Sequence, residues 1–79
     1  MTQIYHLIPK STSLITTDYA PGDIVCWDLG GGIKHIGLVI NKKSLDGKRN
    51  LIVHNIGAGQ VLEDVLFSYK IIGHYSYKK

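Results

Sequence analysis

The chain has 79 residues, 44% of them hydrophobic, with 9 basic and 6 acidic side chains. This length fits one small domain that buries about 60% of its unfolded surface, and the hydrophobic content excludes a disordered chain. A net charge of +3 without a base-stacking aromatic pattern argues against nucleic-acid binding. No apolar run reaches the roughly 18 residues of a membrane span, and the single cysteine excludes an internal disulfide.

Residues 1–20 are rich in Ser and Thr and weakly patterned, so we predict an entry segment that needs something to pack against. Residues 21–79 are predicted to form the domain itself. Pro21-Gly22-Asp23 is a turn signal, since proline presets its own φ and glycine tolerates positive φ. Ile24–Trp27 then has the β-branched and aromatic residues of a short strand. The triplet Gly30-Gly31-Gly32 predicts the loop that ends it.

The next segment, Ile33–Ile40, is apolar at nearly every position. This pattern predicts a central strand that is covered on both faces. A polar connection follows and contains Asp46-Gly47, a strong hairpin signal. Leu51–His54 is predicted to return as the partner strand.

The last third of the chain contains a glycine-rich turn around Gly57-Ala58-Gly59. Val61–Phe67 fits either a short helix or a strand, and the pattern does not decide between them. Ile71–Tyr77 has alternating aromatics and predicts a final strand. The predicted fold class is mainly β: a small, curved antiparallel sheet or half-barrel of four to five strands.

Two histidines lie at matching places on two of these strands, His35 and His54. Side chains alternate between the two faces of a sheet. If the residue numbers of each cross-strand pair add up to an odd number, both histidines lie on the same face. A tight two-residue turn at Asp46-Gly47, for which paired residue numbers add up to 93, places His54 opposite Val39. His54 would then lie on the order of 13 Å along the strand from His35. A wider loop (sum 89) places the two histidines opposite each other, with Cβ atoms roughly 4.5–5.5 Å apart. A catalytic interpretation predicts the wider loop, with Gly37 letting another element approach beside His35.

Several segments carry a family signature in the right order and spacing: Asp18–Val25, His35–Val39, Ile52–Gly59, Glu63–Phe67 and Gly73–Tyr75. Together they resemble the C-terminal half of the domain-of-unknown-function family numbered 1287. That family is similar to the NlpC-type papain-like hydrolases of bacterial cell walls. The resemblance implies the sheet half of an α+β papain-like fold, with the N-terminal helical part missing.

The resemblance also implies a set of roles. In NlpC-type enzymes a cysteine at the start of a helix is the nucleophile, a histidine on the second strand is its base, and a polar residue on the third strand orients that base. His35 matches the base and His54 the orienting residue, with Asn55 as a fallback. The nucleophile has no match in this sequence. We therefore expect the chain to be the sheet portion of a cysteine amidase or endopeptidase and to be inactive on its own. The missing helical segment would come from the same polypeptide or from a partner.

Three other interpretations compete with this one. The chain could be a non-catalytic small β-barrel binding module, a degenerate remnant of an enzyme. Cys26 could serve as the nucleophile, although a cysteine in the middle of a strand lacks a helix N-terminus to activate it and is typically buried. His6 and His74 could join the two histidines around zinc, but no tight ligand spacing supports a site, and we expect no metal or cofactor.

The resemblance extends to partners and location. It implies a peptidoglycan stem peptide as substrate and the cell envelope or periplasm as compartment. The segment Met1–His6 has neither the basic nor the apolar region of a secretory signal, so a cytoplasmic location stays open. A homo-oligomer or swapped dimer could cover an exposed groove. The bond that is cleaved is not predicted.

Overall fold

A computed structural model describes residues 6–56 and 59–78 of the chain. Their six strands form one antiparallel sheet in the order β1-β6-β2-β3-β4-β5. One 3-10 turn, Thr16–Asp18, precedes β2. The strands are β1 (His6–Pro9), β2 (Ile24–Gly30), β3 (Ile33–Lys43), β4 (Asn50–Ile56), β5 (Gly59–Glu63) and β6 (Lys70–Lys78). The sheet is open, since β1 and β5 are its two edges and do not pair with each other.

The predicted mainly β, antiparallel class is confirmed, with six strands where four to five were expected. The extra strand is β1, which lies in the entry segment and pairs with β6 through Leu7 and Tyr77. The undecided segment after residue 60 resolves into the end of β5 followed by a turn that begins beyond Glu63. Gly57 and Ala58, in the predicted glycine-rich turn, lie outside the described residues.

The first hairpin shows why three glycines follow one another. Gly30 pairs with Ile33 across β2 and β3, which leaves a two-residue turn at Gly31 and Gly32. Both residues have positive φ, 62° and 80°. Two positive φ angles are typical of the type I′ turn, whose twist matches the strands it joins. The glycines therefore set a tight hairpin that holds β2 against the start of β3.

The core lies on one face of the sheet. It contains alternate residues of the central strands and two residues from the connecting segments that fold over them: Tyr19, Val25, Trp27, Val39, Ile52 and Leu66. The Trp27 indole N–H donates to the Leu66 carbonyl at 2.9 Å, so the largest core side chain also satisfies its polar atom. This bond fixes the segment after β5 on top of the sheet.

The opposite face is open over the described residues. Ile36 and Leu38 of β3 alternate with the core residues and are 62% and 39% exposed, and Tyr77 of β6 is 55% exposed. The prediction that β3 is covered on both faces is therefore wrong. Strand β3 is central within the sheet, but both connecting segments that supply core residues fold over the other face.

The space beside Gly37 is filled from within the chain. A methyl group at this position would overlap Ile52 and lie 2.5 Å from the Trp27 ring. The prediction that Gly37 admits a further element on the histidine face is therefore contradicted, because the indole of the neighbouring strand takes that room.

Gly37→Ala should lower the free energy of unfolding by about 1–3 kcal/mol, the usual cost of overpacking a well-filled core. Gly59→Ala is the matched control, since its added methyl group meets nothing within 4 Å. Urea denaturation of both variants measures the difference. Equal midpoints for the two variants would show that the Trp27 ring does not occupy this space.

Ion pairs at the tip of the β3–β4 hairpin give a pH-dependent contribution to stability. The Ser44 hydroxyl, the Lys48 amide and Arg49 hold the pKa of Asp46 at about 2, below its ordinary 3.8. Hydrogen bonds from Arg49 likewise lower the pKa of Asp64. Because both pKa values are depressed by folding, the contribution is complete above pH 3.8 and disappears as the pH falls through the lowered values.

Thermal unfolding between pH 5 and pH 2 should therefore show a small decline in stability that Asp46→Asn reduces. The effect is small because these side chains are exposed to solvent. An Asp46→Asn variant that declines as steeply as the wild type would exclude Asp46 as a source of this pH dependence.

Candidate functional site

The two predicted histidines meet on the core face of the sheet. Nε2 of His35 on β3 lies 2.7 Å from Nδ1 of His54 on β4, a hydrogen bond between the two imidazoles. The ring centroids are 5.0 Å apart and the planes cross at 78°. The contact that the catalytic interpretation requires is therefore present.

The register that produces this contact is neither of the two considered from the sequence. His54 pairs with Gly37, while Lys43 pairs with Asn50 near the hairpin tip. The pair nearest the tip thus has the register expected of the tight turn. An irregularity between Val39 and Lys43 shifts the remaining pairs by two residues. His35 and His54 become diagonal neighbours, a spacing that aromatic side chains can bridge.

Trp27 supports both imidazoles from β2. Its ring stacks on His35 with centroids 5.9 Å apart and an angle of 24°, and it meets His54 edge-on at 6.1 Å. The His54 side chain is only 1% exposed, whereas His35 is half-buried. Nδ1 of His35 has no hydrogen-bond partner within residues 6–56 and 59–78. One imidazole is thus enclosed, and the other keeps a free nitrogen.

A third residue, Glu63, joins the pair and was not among the site residues predicted from the sequence. Its Oε1 lies 2.9 Å from Nε2 of His54. Strand β5 positions it, because Val61 pairs with His54 and Glu63 lies two residues further on the same face. The alternation could have indicated Glu63, but only if this segment had been recognised as a strand.

Asn55 and Cys26 lie on the other face of the sheet. Asn55 follows His54 directly on β4 and so projects to the opposite side, where it lines a shallow groove with Ile36 and Gln60. Cys26 pairs with Ile36 on that same face and is partly exposed. The structure therefore brings neither the fallback orienting residue nor the cysteine of this chain to the histidine pair.

His74 forms a second, fully buried histidine–carboxylate pair. Its Nε2 lies 2.7 Å from Asp23 Oδ2, and its Nδ1 lies 2.7 Å from the Ser11 carbonyl oxygen. The ring stacks on Tyr19 with centroids 4.2 Å apart. Burial raises the pKa of the Tyr19 hydroxyl, with a smaller contribution from the charge of Asp18. This cluster fastens the entry segment to β6 and lies too deep for a substrate.

The positions of these histidines do not support the zinc alternative. Both ring nitrogens of His74 are already occupied, and the side chain of His6 lies outside the described residues. In the part of the chain that the structure describes, no three His, Cys, Asp or Glu residues are grouped so that they could hold a metal ion.

Comparison with known proteins places the chain in a family. The model of the family described as "Domain of unknown function (DUF1287)" matches residues 4–77. The chain belongs to this family. The Escherichia coli (strain K12) protein named "Uncharacterized protein YijF" is 48% identical over 68 residues, which cover 86% of this chain and 33% of that protein. No solved structure matches the chain.

The family prediction made from the DUF1287 motifs is thereby confirmed. The chain spans about a third of the length of its E. coli relative, and neither description names an activity. Over the described residues, the structure contains no helix with the length and apolar character needed to cross a membrane.

Proposed function

We propose that this chain supplies the base and the orienting residue of a cysteine hydrolase that cleaves an amide bond in peptidoglycan peptides. The observation that supports it is the 2.7 Å contact between Nε2 of His35 and Nδ1 of His54. This contact holds one nitrogen of the base and leaves the other available, which is the arrangement a nucleophile requires.

In the proposed reaction, neutral His35 accepts the thiol proton at Nδ1. The thiolate then attacks the amide carbon, the C–N bond breaks, and the imidazolium gives its proton to the leaving amine. Water, activated by neutral His35, then hydrolyses the resulting thioester, which releases the carboxylate and restores the thiol. His54 accepts a hydrogen bond from Nε2–H of His35, which holds the ring in place during these transfers. The Trp27 ring stacks on the His35 ring and limits its rotation.

The nucleophile in this proposal is a cysteine outside these 79 residues, since Cys26 lies on the opposite face. The E. coli relative is about three times as long as the region it shares with this chain, so a protein of that length has room for a thiol-bearing segment. That segment would act in the same polypeptide or as a partner. The peptidoglycan substrate rests on the likeness to NlpC-type hydrolases.

The test compares the chain alone with the chain joined to the sequence that precedes it in its natural polypeptide. Each is incubated with purified peptidoglycan, and released peptides are identified by mass spectrometry. Release should require the added segment and should stop after treatment with iodoacetamide. The absence of any gain on adding that segment would count against the proposal.

The binding-module alternative is favoured by one observation, the Trp27 and Ile52 side chains that fill the space beside Gly37. A module of this kind needs no further element on the histidine face. In that case the chain alone should co-sediment with peptidoglycan, and His35→Ala should leave the bound fraction unchanged. Binding that depends on His35 would exclude this alternative.

A further inference from the structure

We infer that Glu63 is a positioning residue that fixes the direction of the hydrogen bonds through His54 and His35. In this direction the free nitrogen of His35, Nδ1, carries a lone pair and not a proton. The inference rests on the proposed function, because it explains how His35 is kept ready to act as a base.

The direction follows from donor and acceptor rules applied one contact at a time. An ionised carboxylate can only accept, so Nε2 of His54, 2.9 Å from Glu63, carries the hydrogen. In a neutral imidazole the other nitrogen is then an acceptor. Nδ1 of His54 therefore accepts from Nε2–H of His35, 2.7 Å away. The remaining nitrogen of neutral His35, Nδ1, is left with its lone pair.

The reverse direction would disable the site. If His54 carried its proton on Nδ1, it would donate to Nε2 of His35, and His35 would then carry its own proton on Nδ1. The exposed nitrogen would be a donor and could not take a proton from a thiol. Reversal would also leave the lone pair of His54 Nε2 facing the Glu63 carboxylate, two acceptors 2.9 Å apart. Glu63 thus excludes the inactive tautomer.

The proton balance of this arrangement is simple. The thiol proton moves to Nδ1 of His35, and no proton has to leave Nε2, His54 or Glu63. The positive charge that forms on His35 is compensated through the enclosed His54 ring by the Glu63 carboxylate. The Glu63 side chain is 47% exposed, so the carboxylate keeps part of its hydration while it accepts from a ring that is 1% exposed.

The decisive variant replaces the acceptor by a donor. Glu63→Lys can only donate to His54, and it should reverse both tautomers so that His35 carries its proton mainly on Nδ1. Asp64→Lys is the matched control, since the neighbouring carboxylate pairs with Arg49 and does not contact either histidine. Both positions are partly exposed, so either lysine can be accommodated.

Long-range ¹⁵N–¹H spectra of the 79-residue chain, recorded where both rings are neutral, report which nitrogen is protonated. The wild type and Asp64→Lys should show His35 protonated on Nε2, and Glu63→Lys should show the Nδ1 form as the major one. An unchanged tautomer in Glu63→Lys, or a wild type already protonated on Nδ1, would overturn the inference.

This readout is independent of catalysis, so the two proposals can fail separately. If the tautomer reverses but no thiol-dependent cleavage is found, the role of Glu63 stands and the proposed function fails. If cleavage is found and Glu63→Lys leaves both the tautomer and the rate unchanged, the proposed function stands and the role of Glu63 fails. With both correct, Glu63→Lys lowers kcat by at least about 100-fold, the lower range for loss of a general base.

Discussion

In a protein that contains both this chain and the proposed cysteine nucleophile (the thiol-bearing protein), His35→Gln should lower kcat by about 10²–10⁴-fold. This is the usual contribution of a positioned general base. Glutamine can still donate a hydrogen bond toward His54, but it has no basic nitrogen to take the thiol proton. The loss should appear in kcat, because the proton is transferred in the transition state and not on binding. Peptide release from peptidoglycan, followed over a range of substrate concentrations, separates kcat from KM.

Stability gives the control for this prediction. His35 is half-buried, so its replacement should cost no more than about 1 kcal/mol of unfolding free energy. Lys34→Gln, at the exposed neighbouring position on the other face, should change neither quantity. A His35→Gln protein that is folded and fully active would remove His35 from the mechanism.

His74→Ala should have the opposite profile, with a loss of about 3–5 kcal/mol of unfolding free energy, the usual cost of breaking a buried pair. The substitution leaves the carboxylate of Asp23, 5% exposed, without its 2.7 Å partner and removes the ring that stacks on Tyr19. A domain of this size has a total stability of only about 4–12 kcal/mol. Urea denaturation followed by tryptophan fluorescence measures the change.

A second variant keeps this prediction decisive if His74→Ala does not fold. Replacing both members, as His74→Leu with Asp23→Leu, removes the unpaired charge and should recover much of the stability. A single variant that stays within about 1 kcal/mol of the wild type would show that the pair does not hold the entry segment. The His74–Asp23 pair would then lack the structural role that distinguishes it from the His54–Glu63 pair.

Alternation along strands was enough to predict that His35 and His54 share a face, because both hairpin registers considered pair His54 with an odd-numbered residue of β3, on the same face as His35. The register itself was not predictable. The hydrogen-bonded turn at the tip runs from Ser44 to Gly47. The pair Lys43 and Asn50 keeps the register expected of a turn at Asp46-Gly47, but the pairs further along the hairpin are shifted by two residues, and the loop sequence indicates only the first. The observed contact is therefore diagonal, between the two alternatives.

The residues missed from the sequence depend on contacts between distant segments. Glu63 could be assigned only after β5 was known to be a strand, and its segment fits a helix equally well by pattern. Asp23 was correctly expected to serve a turn, where it accepts the Ala20 amide at 3.1 Å. Its pairing with His74, 51 residues away, depends on β2 and β6 lying side by side, which no local pattern predicts.

Trp27 shows the same limit in the core. Its strand was predictable from its neighbours, but its buried face and its position against both imidazoles and beside Gly37 were not. An apolar strand such as β3 also gives no sign of which face the rest of the chain covers. The open face around Ile36 and Leu38 is consequently a finding of the structure.

The most direct test of the histidine pair as a base is the rate at which iodoacetamide alkylates cysteine in the thiol-bearing protein near pH 6. Cys26 serves as the internal reference, because it lies on the face away from His35. The account predicts that a cysteine outside residues 1–79 reacts at least about 10-fold faster than Cys26, because His35 accepts the thiol proton as alkylation proceeds. His35→Gln should abolish that advantage. A cysteine that reacts equally fast with and without His35 would contradict the account.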